Sequence, residues 1–536
     1  MTDLAPVGRG KPAGELTVGD LPTYPPTLWG LLELRAAATP DRVLLEDDTG
    51  RTMTGAQWRD TAEQVAAALY ARGVTADTPV SWQLPTNHEA AVLLMALARL
   101  GAVQNPIIPI LRHREVGFIV GQTGARLLIT PSVWRNFDYA ALARDIAEEH
   151  GCETLVLDRG GLPLGDPSTL PPAPTGEGDP VRHIYYSSGT TADPKGARHT
   201  DSSLMSSANG PILNARSDDV TPLPFPYTHV GGIAVTVSVI YTGSRILMFE
   251  IFDPVKSPLV MSERGATRLG SSLPFFLAYA EAQRHYGPEP LFPELVSFSS
   301  GGAPKPPDLF YEMKELFGVP ILSAWGLTEF PIATGSFLDD LDEDLAVAEG
   351  RVLPGVDLKI VAADGTVLGP GEEGEVLVRG PQALKGYVDA SLDAAAFDRD
   401  GFFRTGDLGV IGPRGHLRIT GRTKDIIIRN AENLSALEIE GVVYTHPKVA
   451  DVAVIGVPDP RTGERACAVV VLAEGEGSLT LAEVVEHCRS QELANQKIPE
   501  RLEIVAELPR NPMGKILKQE LRRRYSAPPA APGDAS

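Results

Sequence analysis

Three short β-branched runs mark the first third of the chain: Pro79-Val-Ser-Trp-Gln-Leu, Arg126-Leu-Leu-Ile-Thr and Thr154-Leu-Val-Leu-Asp. Stretches with helical periodicity separate them, and such alternation predicts layered α/β architecture. Residues 27–49 open with one helix-like pattern. A second, from Thr54, sets Trp58, Ala62, Val65 and Leu69 at steps of three and four before Gly73 ends it. The texture changes after about residue 350. Leu358-Lys-Ile-Val, Gly374-Glu-Val-Leu-Val-Arg and Gly415-His-Leu-Arg-Ile-Thr alternate with Asp-Gly, Pro-Gly and Arg-Gly turn signals, which predicts an antiparallel β section. From about residue 426 a strand–helix–strand–helix pattern resumes and runs to Tyr525. It includes Asp451-Val-Ala-Val-Ile-Gly-Val, a helix over Leu481 to Ser490, and Arg501-Leu-Glu-Ile-Val. A segment of roughly 100 residues suits a small α+β domain. The fold class expected is therefore α/β and α+β multidomain. The expected divisions are an N-terminal extension over 1–26, a large domain over 27–423, a small domain over 424–525, and a disordered Pro/Ala-rich tail over 526–536.

Length and charge narrow the function. At 536 residues the chain exceeds a single core. It carries 48 Lys and Arg against 69 Asp and Glu, a net charge of −21. That surface repels a phosphate backbone, so sequence-independent nucleic-acid binding is excluded. An anionic ligand would have to be met by local positive groups. Cys152, Cys467 and Cys488 have neither metal-ligand spacing nor a disulfide framework, as expected in a reducing cytoplasm. Met1 to Lys11 does not read as a signal peptide. The most apolar stretches, Ala90 to Ile110 and Gly231 to Phe249, are broken by Arg99, Asn105, Pro106 and Arg245, so no membrane span is expected.

The segment richest in chemistry is Tyr185-Tyr-Ser-Ser-Gly-Thr-Thr-Ala-Asp-Pro-Lys-Gly-Ala, set before a helix expected from Ser202. Small hydroxyl residues, Gly and one Lys make a loop able to wrap phosphates with backbone N–H groups, hydroxyls and an ammonium. It is not a Walker loop, because Gly196 follows Lys195 where that pattern needs a hydroxyl. A Ser/Gly-rich surface turn is the plain alternative. Further islands are Ser300-Gly-Gly-Ala-Pro, Trp325-Gly-Leu-Thr-Glu, Phe403-Arg-Thr-Gly-Asp-Leu, Gly421-Arg-Thr-Lys-Asp and Pro509-Arg-Asn-Pro-Met-Gly-Lys-Ile. Each alone has a bland reading as a turn; their order and spacing together do not.

With Gly374-Glu-Val-Leu-Val-Arg-Gly-Pro and Gly386-Tyr387, these islands resemble the adenylate-forming superfamily of acyl-CoA synthetases, nonribosomal-peptide adenylation domains and luciferases. The resemblance covers residues 27–525. It implies that a carboxylate attacks the α-phosphate of ATP to give an acyl-adenylate and pyrophosphate, and that a thiol then takes the acyl group. Both first reactants are anions, so catalysis would rest on positioning and charge compensation. By the resemblance, Ser187, Ser188, Gly189, Thr190, Thr191 and Lys195 would hold the β- and γ-phosphates. Thr328 would bond the α-phosphate, and Glu329, with Thr190, would hold Mg²⁺. Gly302, Ala303 and Pro304 would pack beside adenine, with Trp325 and Gly326 in the same nucleotide surface. Asp407 would accept both ribose hydroxyls with Arg422 assisting. Lys515 would bridge carboxylate and α-phosphate, and Lys424 would be the hinge about which the small domain rotates. The implied fold is a large α/β domain with a β-barrel-like subdomain at about 350–423 and a small mobile α+β lid, with the active site at their junction.

Pro226-Tyr-Thr-His-Val-Gly-Gly resembles the acyl-CoA synthetase form of the acyl-pocket stretch, with His229 at its gate. No acid occurs between Asp219 and Glu250, which favours an uncharged acyl group, since a buried ammonium needs a partner. Val230, Gly231, Ser272, Pro274, Phe275, Ser300 and Trp325 are further pocket candidates. Their small and apolar mix fits an alicyclic, branched or medium-chain acid. Asn105-Pro-Ile-Ile-Pro-Ile-Leu-Arg is similar to the branch that includes cyclohexanecarboxylate–CoA ligases. One departure is Arg429-Asn-Ala-Glu-Asn, where relatives often carry Gly-Gly before Glu-Asn. Coenzyme A is the expected acceptor. A carrier-protein thiol, a steroid side-chain or aromatic acid as substrate, a luciferase-like oxidation and a nonenzymatic acyl-binding role stay open, although retention of Lys515, Glu329 and Asp407 argues against the last. A homodimer is compatible with the sequence, which does not specify oligomeric state.

Overall fold

A computed structural model describes residues 25–187, 194–302, 305–429, 432–459, 461–491, 493–511 and 514–526. They fall into two compact units. The first takes in residues 25–187, 194–358 and 378–403; the second takes in 359–377 and 404–526.

The first unit carries the α/β layers. Its six-stranded sheet has the order Lys195–Thr200, Val181–Ser187, Val103–Pro106, Pro79–Trp82, Leu127–Thr130, Glu153–Val156. Every pairing is parallel except that between the first two strands. The three β-branched runs therefore lie side by side. Parallel neighbours need crossovers, supplied by helices His88–Leu100, His113–Thr123 and Tyr139–His150. Helix Gly55–Ala71 begins with a capping box between Thr54 and Gln57. It buries Trp58, Ala62, Val65 and Leu69 completely, as their spacing predicts. The Trp58 indole N–H donates to the Ala91 carbonyl at 3.1 Å, so its polar edge is satisfied inside the core.

A second sheet orders Val220–Leu223, Arg245–Met248, Val43–Asp47 and Thr52–Thr54. A third runs Arg268–Ser271, Ser297–Ser300 and Ile321–Trp325 in parallel, then Thr334–Gly335 and Arg351–Val352 antiparallel. Among the described residues no helix is long and apolar enough to cross a membrane.

The second unit holds most of an antiparallel section ordered Asp357–Val361, Gly374–Arg379, Phe403–Ile411 and Leu417–Arg422. The section expected to be barrel-like is this open sheet. Among the described residues no barrel closes, because four strands enclose no interior that side chains can fill. The strand Phe403–Ile411 is also longer than its sequence suggests. Thr405-Gly406-Asp407 reads as a turn, and Gly406 does have a left-handed φ of +69°. The ladder absorbs it through a register slip between Leu408 and Gly409.

The rest of this unit is a mixed sheet ordered Glu432–Ser435, Ile426–Arg429, Gly463–Leu472, Val449–Asp459, with Arg501–Ile504 parallel to Gly463–Leu472. Helices Ala436–Tyr444, Leu481–Ser490 and Lys518–Tyr525 complete it. Cys467 and Cys488 are buried in it, Cys152 is half-buried in the first unit, and all three are free thiols.

Candidate active site

In the first unit, the strands Val181–Ser187 and Lys195–Thr200 form an antiparallel ribbon in which Lys195 is the cross-strand partner of Ser187. The expected phosphate contacts Ser188, Gly189, Thr190 and Thr191 lie outside the described residues, as do the expected adenine neighbours Ala303 and Pro304. The ribbon is extended by the segment around Tyr387. The Lys385 amide donates to Arg198, Arg198 to Gly386, and Val388 to Gly196. Residues far apart in sequence, at 195 and 387, are thereby brought together. The Lys195 ammonium lies 5.5 Å from the centroid of the Tyr387 ring, within cation–π range.

Thr328 and Glu329 follow the strand that ends at Trp325. Gly326 is required here, since a Cβ would come within 2.1 Å of the Pro331 carbonyl oxygen. Two braces reach the pair from the ribbon side. His199 Nε2 lies 2.9 Å from the Thr328 carbonyl oxygen. That oxygen can only accept, so the proton is on Nε2 and the Nδ1 lone pair faces Ser203 Oγ at 3.2 Å. Burial pushes the imidazole down to about 4, so it stays neutral. The second brace is Tyr387, whose hydroxyl donates to Glu329 Oε1 at 3.0 Å. Burial first, and the adjacent Glu329 next, push the phenol upward, which keeps it a donor. The Glu329 side chain is held under cover, with the residue 8% exposed. In the sequence Gly386-Tyr387 stands out only as a signature, and His199 does not stand out at all. Nothing in either residue's neighbourhood along the chain links it to Glu329 or Thr328.

Thr328 also borders a narrow, mostly apolar hollow of about 20 Å³ that is partly open to solvent, walled by Pro106, Ile107, Ile108, Leu111, Ile119, Tyr185, Tyr186, Thr228, His229 and Val230. His229 caps helix Val230–Thr242, its Nδ1 accepting the Gly231 amide at 3.0 Å. A nitrogen that accepts carries no proton, and burial lowers this imidazole to about 4, so His229 is neutral. The wall has no acid and no permanent charge. Its largest share comes from the Asn105-to-Arg112 stretch. Of the other pocket candidates only Val230 lines this hollow. Phe275 turns instead into an aromatic cluster, 4.7 Å from Phe252 between ring centroids.

In the second unit, Asp407 and Arg422 are direct cross-strand partners. Arg422 Nε meets Asp407 Oδ1 at 2.8 Å, and Asp407 is 2% exposed. Lys515 stands in a tight reversal. Its amide donates to Asn511 Oδ1 at 2.9 Å, its carbonyl accepts the Asn511 amide at 2.8 Å, and Gly514 takes a φ of +79° to close the turn. Burial, then the Arg422 guanidinium, push the Lys515 ammonium down to about 8, against an opposing pull from Asp407. Lys424 is exposed in the turn between Leu417–Arg422 and Ile426–Arg429. Asn430, Ala431, Pro512 and Met513 lie outside the described residues.

The model of the family described as AMP-binding enzyme matches residues 32–388, and that of the AMP-binding enzyme C-terminal domain matches residues 438–515. The chain belongs to the AMP-binding enzyme family. It stands in the acyl-CoA ligase branch of the adenylate-forming superfamily. It is 31% identical to the medium-chain fatty-acid–CoA ligase of Escherichia coli, over 92% of this chain and 91% of that one. It is 34% identical to the long-chain-fatty-acid–CoA ligase FadD13 of Mycobacterium tuberculosis, over 93% and 98%. Among solved structures, ATP-bound MatB from Rhodopseudomonas palustris superposes with a TM-score of 0.83 at 28% identity, over 93% of this chain and 99% of that one. ATP, Mg²⁺ and coenzyme A are the co-reactants of this branch.

The residues present fit such a metal. No cluster of three His, Cys, Asp or Glu able to hold an ion occurs among the described residues. Mg²⁺ bound through one carboxylate and nucleotide phosphates needs none, and Glu329 is a single covered carboxylate with one oxygen already oriented.

Proposed function

We propose that this enzyme activates an uncharged alicyclic, branched or medium-chain carboxylic acid as its adenylate and transfers the acyl group to coenzyme A, releasing AMP. In this reading Lys195 and the hydroxyl-rich segment before it bind the β- and γ-phosphates, and Thr328 donates to the α-phosphate. Mg²⁺ on Glu329 supplies charge compensation for the triphosphate. Asp407 accepts the ribose hydroxyls, held in place by Arg422. Lys515 carries the positive charge that steadies the carboxylate and α-phosphate as they join. The acyl group occupies the hollow beside His229, whose neutral ring makes no electrostatic demand on it. Lys424 serves as the hinge that lets one enzyme run two half-reactions in turn.

The observation that supports this reading is the joint placement of Thr328 and His229 on one apolar, charge-free wall. It sets a site for a neutral carbon chain beside the expected α-phosphate contact. The test is AMP formation from ATP across short, medium, alicyclic, aromatic and steroid acids, each with and without coenzyme A. The expected outcome is coenzyme A-dependent turnover with medium or alicyclic acids and little with steroid ones. AMP formation that never depends on coenzyme A sinks the ligase reading. It would favour a carrier-protein thiol as acceptor, the reading that Asn430-Ala431 in place of Gly-Gly supports.

A further inference from the structure

Tyr387 is a buried polar side chain that the family signature leaves without a task, and it is the meeting point of three separate segments. It is 3% exposed. Its backbone pairs with Ala197 of the ribbon that begins at Lys195, and its amide donates to Asp393 Oδ1 at 2.8 Å. Backbone and carboxylate together fix the ring's position. Its hydroxyl donates to Glu329 Oε1 at 3.0 Å, and its ring face receives the Lys195 ammonium. Glu329 is anchored from the same side by its own carbonyl, which accepts the Leu384 amide at 2.9 Å.

A carboxylate that binds a metal through one oxygen is free to swing unless its other oxygen is tied, and outer partners that tie it set metal affinity. We infer that Tyr387 is a positioning residue that holds Glu329 so that its Oε2 faces the metal–nucleotide complex, while the same ring steadies Lys195 beside the phosphates. The inference rests on the reading of Glu329 as the metal carboxylate. One aromatic residue would thus set the distance between the two groups that meet a triphosphate from opposite chemical sides, a cation and a metal-bearing anion. Phe at this position keeps the ring and its contact with Lys195 but removes the donor.

The test is Mn²⁺ binding, followed by electron paramagnetic resonance, to full-length enzyme saturated with a nonhydrolysable ATP analogue. It compares wild type, Tyr387→Phe, Glu329→Gln and the double variant, each first checked for an unchanged melting temperature. Tyr387→Phe is expected to weaken Mn²⁺ binding about tenfold, with binding of the metal-free analogue unchanged. In the Glu329→Gln background the same substitution is expected to add nothing. Wild-type Mn²⁺ affinity in Tyr387→Phe, with Glu329→Gln impaired, overturns the inference and leaves the metal reading standing. Equal losses in both backgrounds also overturn it, since Tyr387 would then act without Glu329. Unimpaired binding in Glu329→Gln overturns the metal reading, and the inference falls with it.

Discussion

With Lys515 in the role proposed for it, the adenylation step acquires a pH dependence. An exposed lysine stays charged to pH 10 and above, but burial and Arg422 bring this one down to about 8. A lowered lysine is charged below that value and neutral above it. At pH 7 about nine-tenths of the molecules carry the charge, and at pH 9 about one-tenth do. If the charged form alone supports acid activation, kcat/KM for acid-dependent pyrophosphate exchange falls about tenfold between those pH values, because kcat/KM reports groups of the free enzyme. Saturating ATP should shift the same limb to higher pH in kcat, as added phosphate charge favours the ammonium. Lys515→Arg keeps a cation at every accessible pH. Its absolute rate is lower, but the alkaline limb should vanish. Thiolysis of supplied acyl-adenylate should be spared by Lys515→Ala and should not fall over this range. An exchange rate flat from pH 7 to 9.5, or an alkaline limb that survives in Lys515→Arg, refutes the reasoning.

Replacing His199 with Phe leaves the part-buried Thr328 carbonyl without its donor, a loss of about 1 kcal/mol. A lower melting temperature and a raised KM for ATP, measured by thermal unfolding and initial rates, are expected together; a lowered melting temperature alone would confine His199 to stability. Ile119→Phe narrows the hollow. It should cut kcat/KM for eight-carbon acids about tenfold, the worth of some two methylenes, while leaving four-carbon acids unchanged; equal losses would place the acyl chain elsewhere. Lys424→Pro should slow thiolysis more than adenylation when the half-reactions are assayed separately, and equal slowing removes the support for a hinge there.

The local signals were legible where one periodicity governed one element. Trp58, Ala62, Val65 and Leu69 announce their helix, because burial on one face leaves a repeat in the sequence, and the three β-branched runs announce strands, Leu127–Thr130 as a continuous apolar run because it is buried on both faces. Asp407 and Arg422 were also named, but from motif resemblance. Their pairing across two strands depends on register, which no short window records. His199 and Tyr387 escaped for the same reason: their partners Thr328 and Glu329 lie 129 and 58 residues away. Of the residues expected to line the pocket, His229 and Val230 border the hollow, whereas Ser272 to Phe275 do not, because an apolar residue looks alike in sequence whether it lines a cavity or fills a core. Phe275 fills a core.

The cross-strand match of Asp407 with Arg422 has a consequence for how this protein tolerates change in length. The turn joining their strands, at residues 412–416, is surface chain of the kind that usually accepts insertions. Here one added residue, taken up as a register shift, would bring Gly421 opposite Asp407 and turn Arg422 to the other face of the sheet. Two added residues would keep the face but move the guanidinium one pair away. Within that turn Gly415 holds a φ of +81° and His416 is buried, but Pro413 is exposed and free to change while the length is locked. Insertions in it should therefore show a loss of ATP use that substitution of the exposed Pro413 does not.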